Sequence, residues 1–286
     1  MKKELINSYI KSLEITKNNA KNFYYSFLLL PPKKKFSIYS VYAFCRIADD
    51  IADSNLDDNE KLTRINEFEK DFKNMLENKK FKNEIFHSLK DVIKNFKIEP
   101  EFFLQIIEGM KMDIIKNRYN SFNELYYYCL KVAGTVAFIC SSIFLKEKII
   151  PYEFCINLGL ALQMTNIIRD IKEDKDNNRI YLPLEDLNKF NYSEEDLKKE
   201  KVNSAFFNLI KYEIDKTKQF YKESEKNLDR NIIKQLYTLV TIKDIYYSIL
   251  LEIEKNPELL YSKRFSISII KKLNIAIKNY LINLVK

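Results

Sequence analysis

Asp49 and Asp53 stand four residues apart in IYSVYAFCRIADDIAD (38–53), with Asp50 beside them, and Asn166, Asp170 and Asp174 repeat the spacing in LGLALQMTNIIRDIKED (158–174), with Glu173 adjacent. On a helix, side chains four residues apart share a face. Like charges stacked in this way repel one another unless a cation lies between them, and hard oxygen ligands select magnesium over softer metals. Two such clusters suggest a site for bridging Mg²⁺ ions and a phosphorylated substrate. Arg46 lies one turn before Asp49 and Asp50, and Arg169 directly precedes Asp170. An arginine next to metal-binding carboxylates suits the far oxygens of a diphosphate. The ordinary alternative is that these are helix ends, since Asp-rich turns follow both clusters, with Arg–Asp pairs that contribute only about 0.2–0.5 kcal/mol each.

Both clusters interrupt apolar stretches, where a charge is costly unless it is paired or binds a metal. The elements that carry them are predicted to be helices. Apolar residues recur at three- and four-residue spacing nearly throughout, as in Leu62, Ile65, Phe68, Phe72, Met75 and Leu76. Breaks are expected at Pro31-Pro32, Asp57 to Asn59, Lys79-Lys80, Pro100, Asn120-Ser121, Pro151, Asp176 to Asn178 and Pro257. Roughly eight to ten helices follow, without internal repeat or linker. Three glycines and six prolines in 286 residues leave little turn chemistry for hairpins, which excludes an all-β fold. With 46% apolar residues, the chain is expected to form a single helical domain over 1–286.

The net charge of +8 comes from lysines scattered along the chain, and no RNP, KH or zinc-finger pattern accompanies them, so no nucleic-acid partner is expected. Only seven basic residues are arginine (46, 64, 118, 169, 179, 230, 264), the type whose planar fork suits phosphate. Cys45, Cys129, Cys140 and Cys155 stand singly in apolar stretches and read as reduced core residues of a cytoplasmic protein. The N-terminal stretch lacks the apolar block of a signal peptide, and there is no run of 18 apolar residues. The expectation is a soluble protein, at most peripheral to the inner face of a membrane. The only histidine, His87, falls in a lysine-rich helix and reads as a surface residue.

The two acidic segments belong to a wider pattern. NFYYSFLLLP (22–31), YAFCRIADDIAD (42–53), GMKMD (109–113), YCLKVAGTV (128–136), LQMTNIIRDIKED (162–174) and RIYLP (179–183) occur in that order. From about Phe23 to Arg264 the chain resembles the squalene/phytoene synthase family. The resemblance implies an all-α class I isoprenoid synthase fold, with both acidic helices facing a central cavity. In its terms Asp49, Asp50 and Asp53 form the first metal-binding motif, and Asp170 and Asp174 the second, with Asn166 alongside. Asn166 and Gln163 would line the cavity near the reacting carbons. Lys21, Arg46, Arg169 and Arg264 would be the diphosphate-binding bases, helped by Tyr246. Asp113 and Tyr128 match polar cavity positions, and the small residues from Val132 to Val136 would leave room for an allylic chain. The chain departs from the pattern at Ala20 and Asn22, where many relatives carry serine, and at Ala137, where glycine is common.

The family reaction is the head-to-head joining of two prenyl diphosphates, assisted by two or three Mg²⁺. The C15 route from farnesyl diphosphate gives presqualene diphosphate, then squalene if NADPH supplies hydride, or a dehydro product otherwise. Phe23, Phe27 and Tyr39 present bulk at the expected floor of the tunnel, which favours C15 over the C20 chain of a phytoene synthase; the ordinary alternative is core packing. No dinucleotide fingerprint is present, and the family can bind NADPH without one. The C-terminal ISIIKKLNIAIKNYLINLVK is a basic amphipathic segment able to touch an anionic membrane, packing against the bundle being the alternative. Other readings are a non-catalytic relative of the same fold acting as an assembly factor and a one-substrate terpene cyclase. Oligomeric state is not fixed by the sequence.

Overall fold

The computed structural model describes residues 2–20, 24–146, 149–226 and 228–284. The chain is 77% helical, without strands among the described residues. Its helices are α1 (Lys2–Asn19), α2 (Tyr24–Phe27), α3 (Pro32–Ala52), α4 (Asp58–Leu76), α5 (Phe86–Phe96), α6 (Glu101–Ile115), α7 (Phe122–Cys129), α8 (Thr135–Phe144) and α9 (Tyr152–Arg169). There follow α10 (Ile171–Asp176), α11 (Leu184–Lys189), α12 (Glu194–Lys198), α13 (Ser204–Ser224), α14 (Arg230–Gln235), α15 (Tyr237–Lys255) and α16 (Ile269–Leu284). The expected breaks fall at helix ends for local reasons. Pro32 opens α3 as its first residue, where a missing N–H costs nothing. Asp57 caps α4 by accepting the Glu60 N–H at 3.0 Å, and Ser121 caps α7 by accepting that of Glu124 at 3.3 Å.

Phe44 of α3 meets Phe68 and Phe72 of α4 and Phe103 of α6 at 5.1–5.4 Å between ring centroids, and Phe68 meets Phe86 of α5 at 5.2 Å. Burying each ring contributes about 1.5–3 kcal/mol. This cluster fixes α3 from behind, so that its acidic end is presented at a fixed angle. On the other side α9 packs along α13 and against the segment joining α7 to α8.

That segment, Leu130–Gly134, is one turn of π-helix in an otherwise continuous Phe122–Phe144 rod. All three glycines of the chain meet around it. A Cβ on Gly159 of α9 would lie 2.4 Å from the Gly134 N and 2.5 Å from its Cα, and one on Gly109 of α6 would lie 2.5 Å from Val132 Cγ1. None of the glycines has positive φ; the left-handed corners are instead held by Asn78, Lys97, Asn178, Asn191 and Glu200. The Phe122–Phe144 rod is the one described helix long and apolar enough to cross a membrane, and 61% of its most apolar stretch is buried inside the bundle. The four cysteines are free, and three are fully buried. His87 is half-buried on α5 against Phe81.

A buried ionic cluster ties α11 to α13. Lys216 Nζ donates to Asp186 Oδ2 at 2.7 Å and to Glu213 Oε2 at 3.2 Å, and Glu213 is fully buried. Burial pushes the Glu213 carboxyl upward, against the pull of Lys216. Lys216→Met leaves two buried carboxyls without their cation and should cost about 3 kcal/mol in urea denaturation at pH 8. The deficit should narrow towards pH 5 as the raised Glu213 carboxyl takes up a proton. A deficit independent of pH would mean that lost packing alone is responsible.

Candidate active site

The acidic ends of α3 and α9 face each other across a cavity of about 490 Å³, which also receives side chains of α6, α7, α15 and the segment after α10. Asp49, Asp53, Asn166, Asp170 and Asp174 all line it. Asp53 is the cap residue just past α3, its N–H bonded to Asp49 O at 2.9 Å. The second cluster is not on one unbroken helix. α9 ends at Arg169, Asp170 caps it, and α10 restarts at Ile171. The bonds Asp170 N–H to Asn166 O (2.8 Å) and Asp174 N–H to Asp170 O (2.9 Å) carry the four-residue spacing through the junction, so the three side chains still reach one cavity.

Arginines close on these carboxylates. Arg169 grips Asp170 with two bonds (Nε to Oδ1 2.8 Å, Nη2 to Oδ2 2.5 Å), and Arg264 grips the same carboxylate from the other side at 3.0 Å twice. Arg264 also reaches Glu173 at 3.3 Å. Arg46 pairs with Asp49 at 3.3 Å and with Asp50 at 2.5 Å; Asp50 is not part of the cavity lining and is more than half exposed. Arg179, of the RIYLP segment, donates to Asp53 Oδ1 at 2.6 Å and to Ala52 O at 3.3 Å, joining the end of one acidic helix to the chain that follows the other.

Deeper in, Asp113 accepts hydrogen bonds from Tyr128 Oη (2.9 Å) and Tyr181 Oη (2.7 Å). Burial raises its carboxyl to about 6, held back by the two tyrosines and Arg179. Asp49 is pushed up to about 7 by burial and then by Asp53, although 44% of its side chain opens into the cavity, where water screens the effect. Asp174 is pushed up to about 8, again by burial first and then by Asp170. The cavity thus holds more negative charge than its arginines neutralise locally.

Most of the expected positions converge here: Arg46, Asp113, Tyr128, Val132, Gln163, Arg169, Tyr246 and Arg264 line the same cavity, and the Arg169 guanidinium lies 5.9 Å from the centre of the Tyr246 ring. Phe27, Tyr39 and Val136 are not among its lining residues. Phe27 and Tyr39 are buried and meet edge to face at 6.3 Å. Lys21 and Phe23 lie outside the described residues. Arg179 and Tyr181 received no role from the sequence reading. The available signal was the scarcity of arginine, with Arg179 one of three of the seven that fall in the recognised motifs.

The donor set fits a hard divalent cation. Asn166 Oδ1 is buried without a hydrogen-bond partner, and the oxygens around it are carboxylates whose charge is incompletely offset. Among the described residues no three acidic side chains are gathered closely enough to form a coordination cluster by themselves. Asp49, Asp53 and Asp170 are each paired with an arginine instead.

An all-helical bundle with acidic helices facing a cavity is the isoprenoid synthase architecture. A solved dehydrosqualene synthase superposes with a TM-score of 0.86 at 26% identity, covering 97% of this chain and 96% of that one. Squalene synthase HpnC from Alicyclobacillus acidocaldarius does so with a TM-score of 0.78 at 25% identity, over 88% and 95%. The squalene/phytoene synthase family model matches residues 16–271, and the chain belongs to that family. It is 32% identical to a 15-cis-phytoene synthase of Synechocystis sp. over 91% of this chain and 80% of that protein. It is equally identical to a phytoene synthase of Arthrospira platensis, over 93% and 90%. Members of the family are prenyltransferase-type enzymes that bind prenyl diphosphates and generally use a divalent metal to ionise them.

Proposed function

We propose that the chain, acting as one domain, joins two farnesyl diphosphates head to head to give presqualene diphosphate, with squalene or dehydrosqualene as further products. The observation that carries this reading is the convergence of both acidic clusters and three arginines from distant parts of the chain on one cavity. Asp49, Asp53, Asn166, Asp170 and Asp174 would hold Mg²⁺, which supplies Lewis-acid charge to a departing diphosphate. Asp50 faces outward and would act through Arg46. The planar forks of Arg46, Arg169 and Arg264 would take the phosphate oxygens, exchanging a carboxylate partner for a phosphate one, and the Lys21 ammonium would add a further positive charge. Ile106, Met110, Val132 and Ile167 give the cavity its apolar side, which would shield an allylic cation from water. Gln163, Tyr246 and the fixed Tyr128–Asp113–Tyr181 group would orient the chain near the reacting carbons.

The C15 length rests on reading Phe27 and Tyr39, which pack on each other without lining the cavity, as the bulk that closes the tunnel floor behind it. A C20 reading, with geranylgeranyl diphosphate giving phytoene, is favoured by the names of the relatives at 32% identity. The purified protein with Mg²⁺ and farnesyl diphosphate should yield presqualene diphosphate by mass spectrometry, and none in excess EDTA. NADPH is proposed as the hydride source for squalene, so squalene should form only when it is added. Phe27→Ala should then admit the C20 substrate. Phytoene from the unaltered protein, with no C15 product, would establish the second reading. The site chemistry is proposed to work in the cytoplasm.

A further inference from the structure

The last turn of α9 is pegged to α13 by a buried hydrogen bond. Thr165 Oγ1 donates to Ala161 O at 2.7 Å, one turn back, and lies 2.8 Å from Tyr221 Oη of α13. A threonine hydroxyl has a single proton. With that proton committed to Ala161, the second bond runs the other way: Tyr221 donates and Thr165 accepts. Burial pushes the Tyr221 phenol well up, so it keeps the proton it donates. Both side chains are buried, Thr165 completely, and the Tyr221 ring is seated edge to face on Tyr247 at 5.1 Å. Neither residue lines the cavity.

What the bond aims is the cavity edge of α9. Asn166 directly follows Thr165, about 100° round the helix, and lines the cavity with its Oδ1 buried and unpartnered. Arg169 lies four residues after Thr165, on the same face. Its buried guanidinium lies against the Tyr246 ring and grips Asp170. α9 stops there, so no further turn backs these two side chains, and just beyond it Asp170 and Glu173 crowd Asp174. Apolar contacts between α9 and α13 can slide as the helix end turns away from that repulsion. A hydrogen bond of fixed length and direction resists the turn. We propose that Tyr221 is a positioning residue: through Thr165 it fixes the rotation of the last turn of α9, and thereby the direction in which Asn166 and Arg169 face the diphosphate site. This deepens the proposed function and rests on its reading of the cavity as a site for metal and diphosphate.

The test is thermal unfolding of the full chain, first in EDTA and then over a Mg²⁺ titration with inorganic diphosphate, which reads occupation of the site without turnover. The two together should stabilise the parent. Tyr221→Phe keeps the ring and its contact with Tyr247, and should raise the Mg²⁺ concentration at half of the shift about tenfold or more, as loss of a group behind a metal ligand does. Thr165→Val should do the same, whereas Thr165→Ser, which keeps the accepting oxygen, should respond as the parent does. The double variant Tyr221→Phe with Thr165→Val should bind no more weakly than the weaker single one. Variants that melt lower in EDTA yet keep the Mg²⁺ midpoint of the parent would overturn the proposal and leave the pair as core packing. Losses that add in the double variant would overturn it as well, because Tyr221 would then act by a route other than Thr165. A parent that Mg²⁺ and diphosphate leave unstabilised would remove the metal-site reading itself, and this proposal with it.

Discussion

Asp174→Asn should abolish most turnover and yet give a more stable protein when divalent metal is removed. The carboxyl sits among Asp170, Glu173 and Asp113, and burial followed by Asp170 raises it to about 8 from an ordinary 3.8. A group raised in the folded state contributes fully to stability below its unfolded value, and that contribution is lost as pH rises through the folded one. In EDTA, the parent should therefore lose thermal stability between about pH 4 and pH 8, and Asp174→Asn should lose less. Activity moves the other way. If the carboxylate holds a cation against the leaving group, its loss should lower kcat about 100-fold or more, as for other preorganised electrostatic groups. Calorimetry in EDTA at pH 5 and pH 8, beside product assays in Mg²⁺, checks both halves. A variant that is less stable at pH 8 and fully active would remove Asp174 from the site.

The second large effect is expected at a position that touches no substrate. Gly159→Ala places a methyl 2.4 Å from the Gly134 N, 2.5 Å from its Cα and 2.8 Å from the Ala133 carbonyl carbon. These are backbone atoms, which cannot turn aside, so α9 and the π-turn must separate. Overpacking of this kind costs about 1–3 kcal/mol, and the upper end is expected where no side chain can yield. The separation would also move Asn166 and Gln163 on α9 relative to Val132, so activity should fall along with the denaturation midpoint. Gly109→Ala is the contrast. The one close contact of its new methyl is Val132 Cγ1 at 2.5 Å, a side chain that can shift, with Lys131 Cβ at 3.4 Å, and it should alter product distribution more than stability. Equal losses of stability in the two variants would contradict this account of the seat.

The two acidic clusters were legible in the sequence because a four-residue spacing survives wherever the backbone keeps its helical bonds, even across the interruption at Asp170. The helix boundaries at Pro32, Ser121 and Pro151 were legible because proline and capping side chains act locally. What a linear pattern does not carry is which charge meets which across elements. Arg179 reaching Asp53 joins positions 126 residues apart, and Tyr181 reaching Asp113 joins positions 68 apart. Asp50 shared a motif with Asp49, yet one position along a helix turns the side chain by about 100° and out of the cavity. The π-turn was hidden because one extra residue per turn leaves the apolar pattern almost intact. The C-terminal segment was visible as amphipathic, but its inward face was not, since α16 buries Lys272 and Asn279.

Among the described residues, the five left-handed corners at Asn78, Lys97, Asn178, Asn191 and Glu200 set how much change this molecule can absorb. Every glycine is committed to helix packing, so these bends are made with side chains that resist the conformation, by roughly 1 kcal/mol for a lysine or glutamate. None of the five lines the cavity. They amount to an untapped margin: relaxing a few corners would offset a destabilising exchange in the binding chamber, so that the site could be reshaped for a different hydrocarbon without the bundle coming apart.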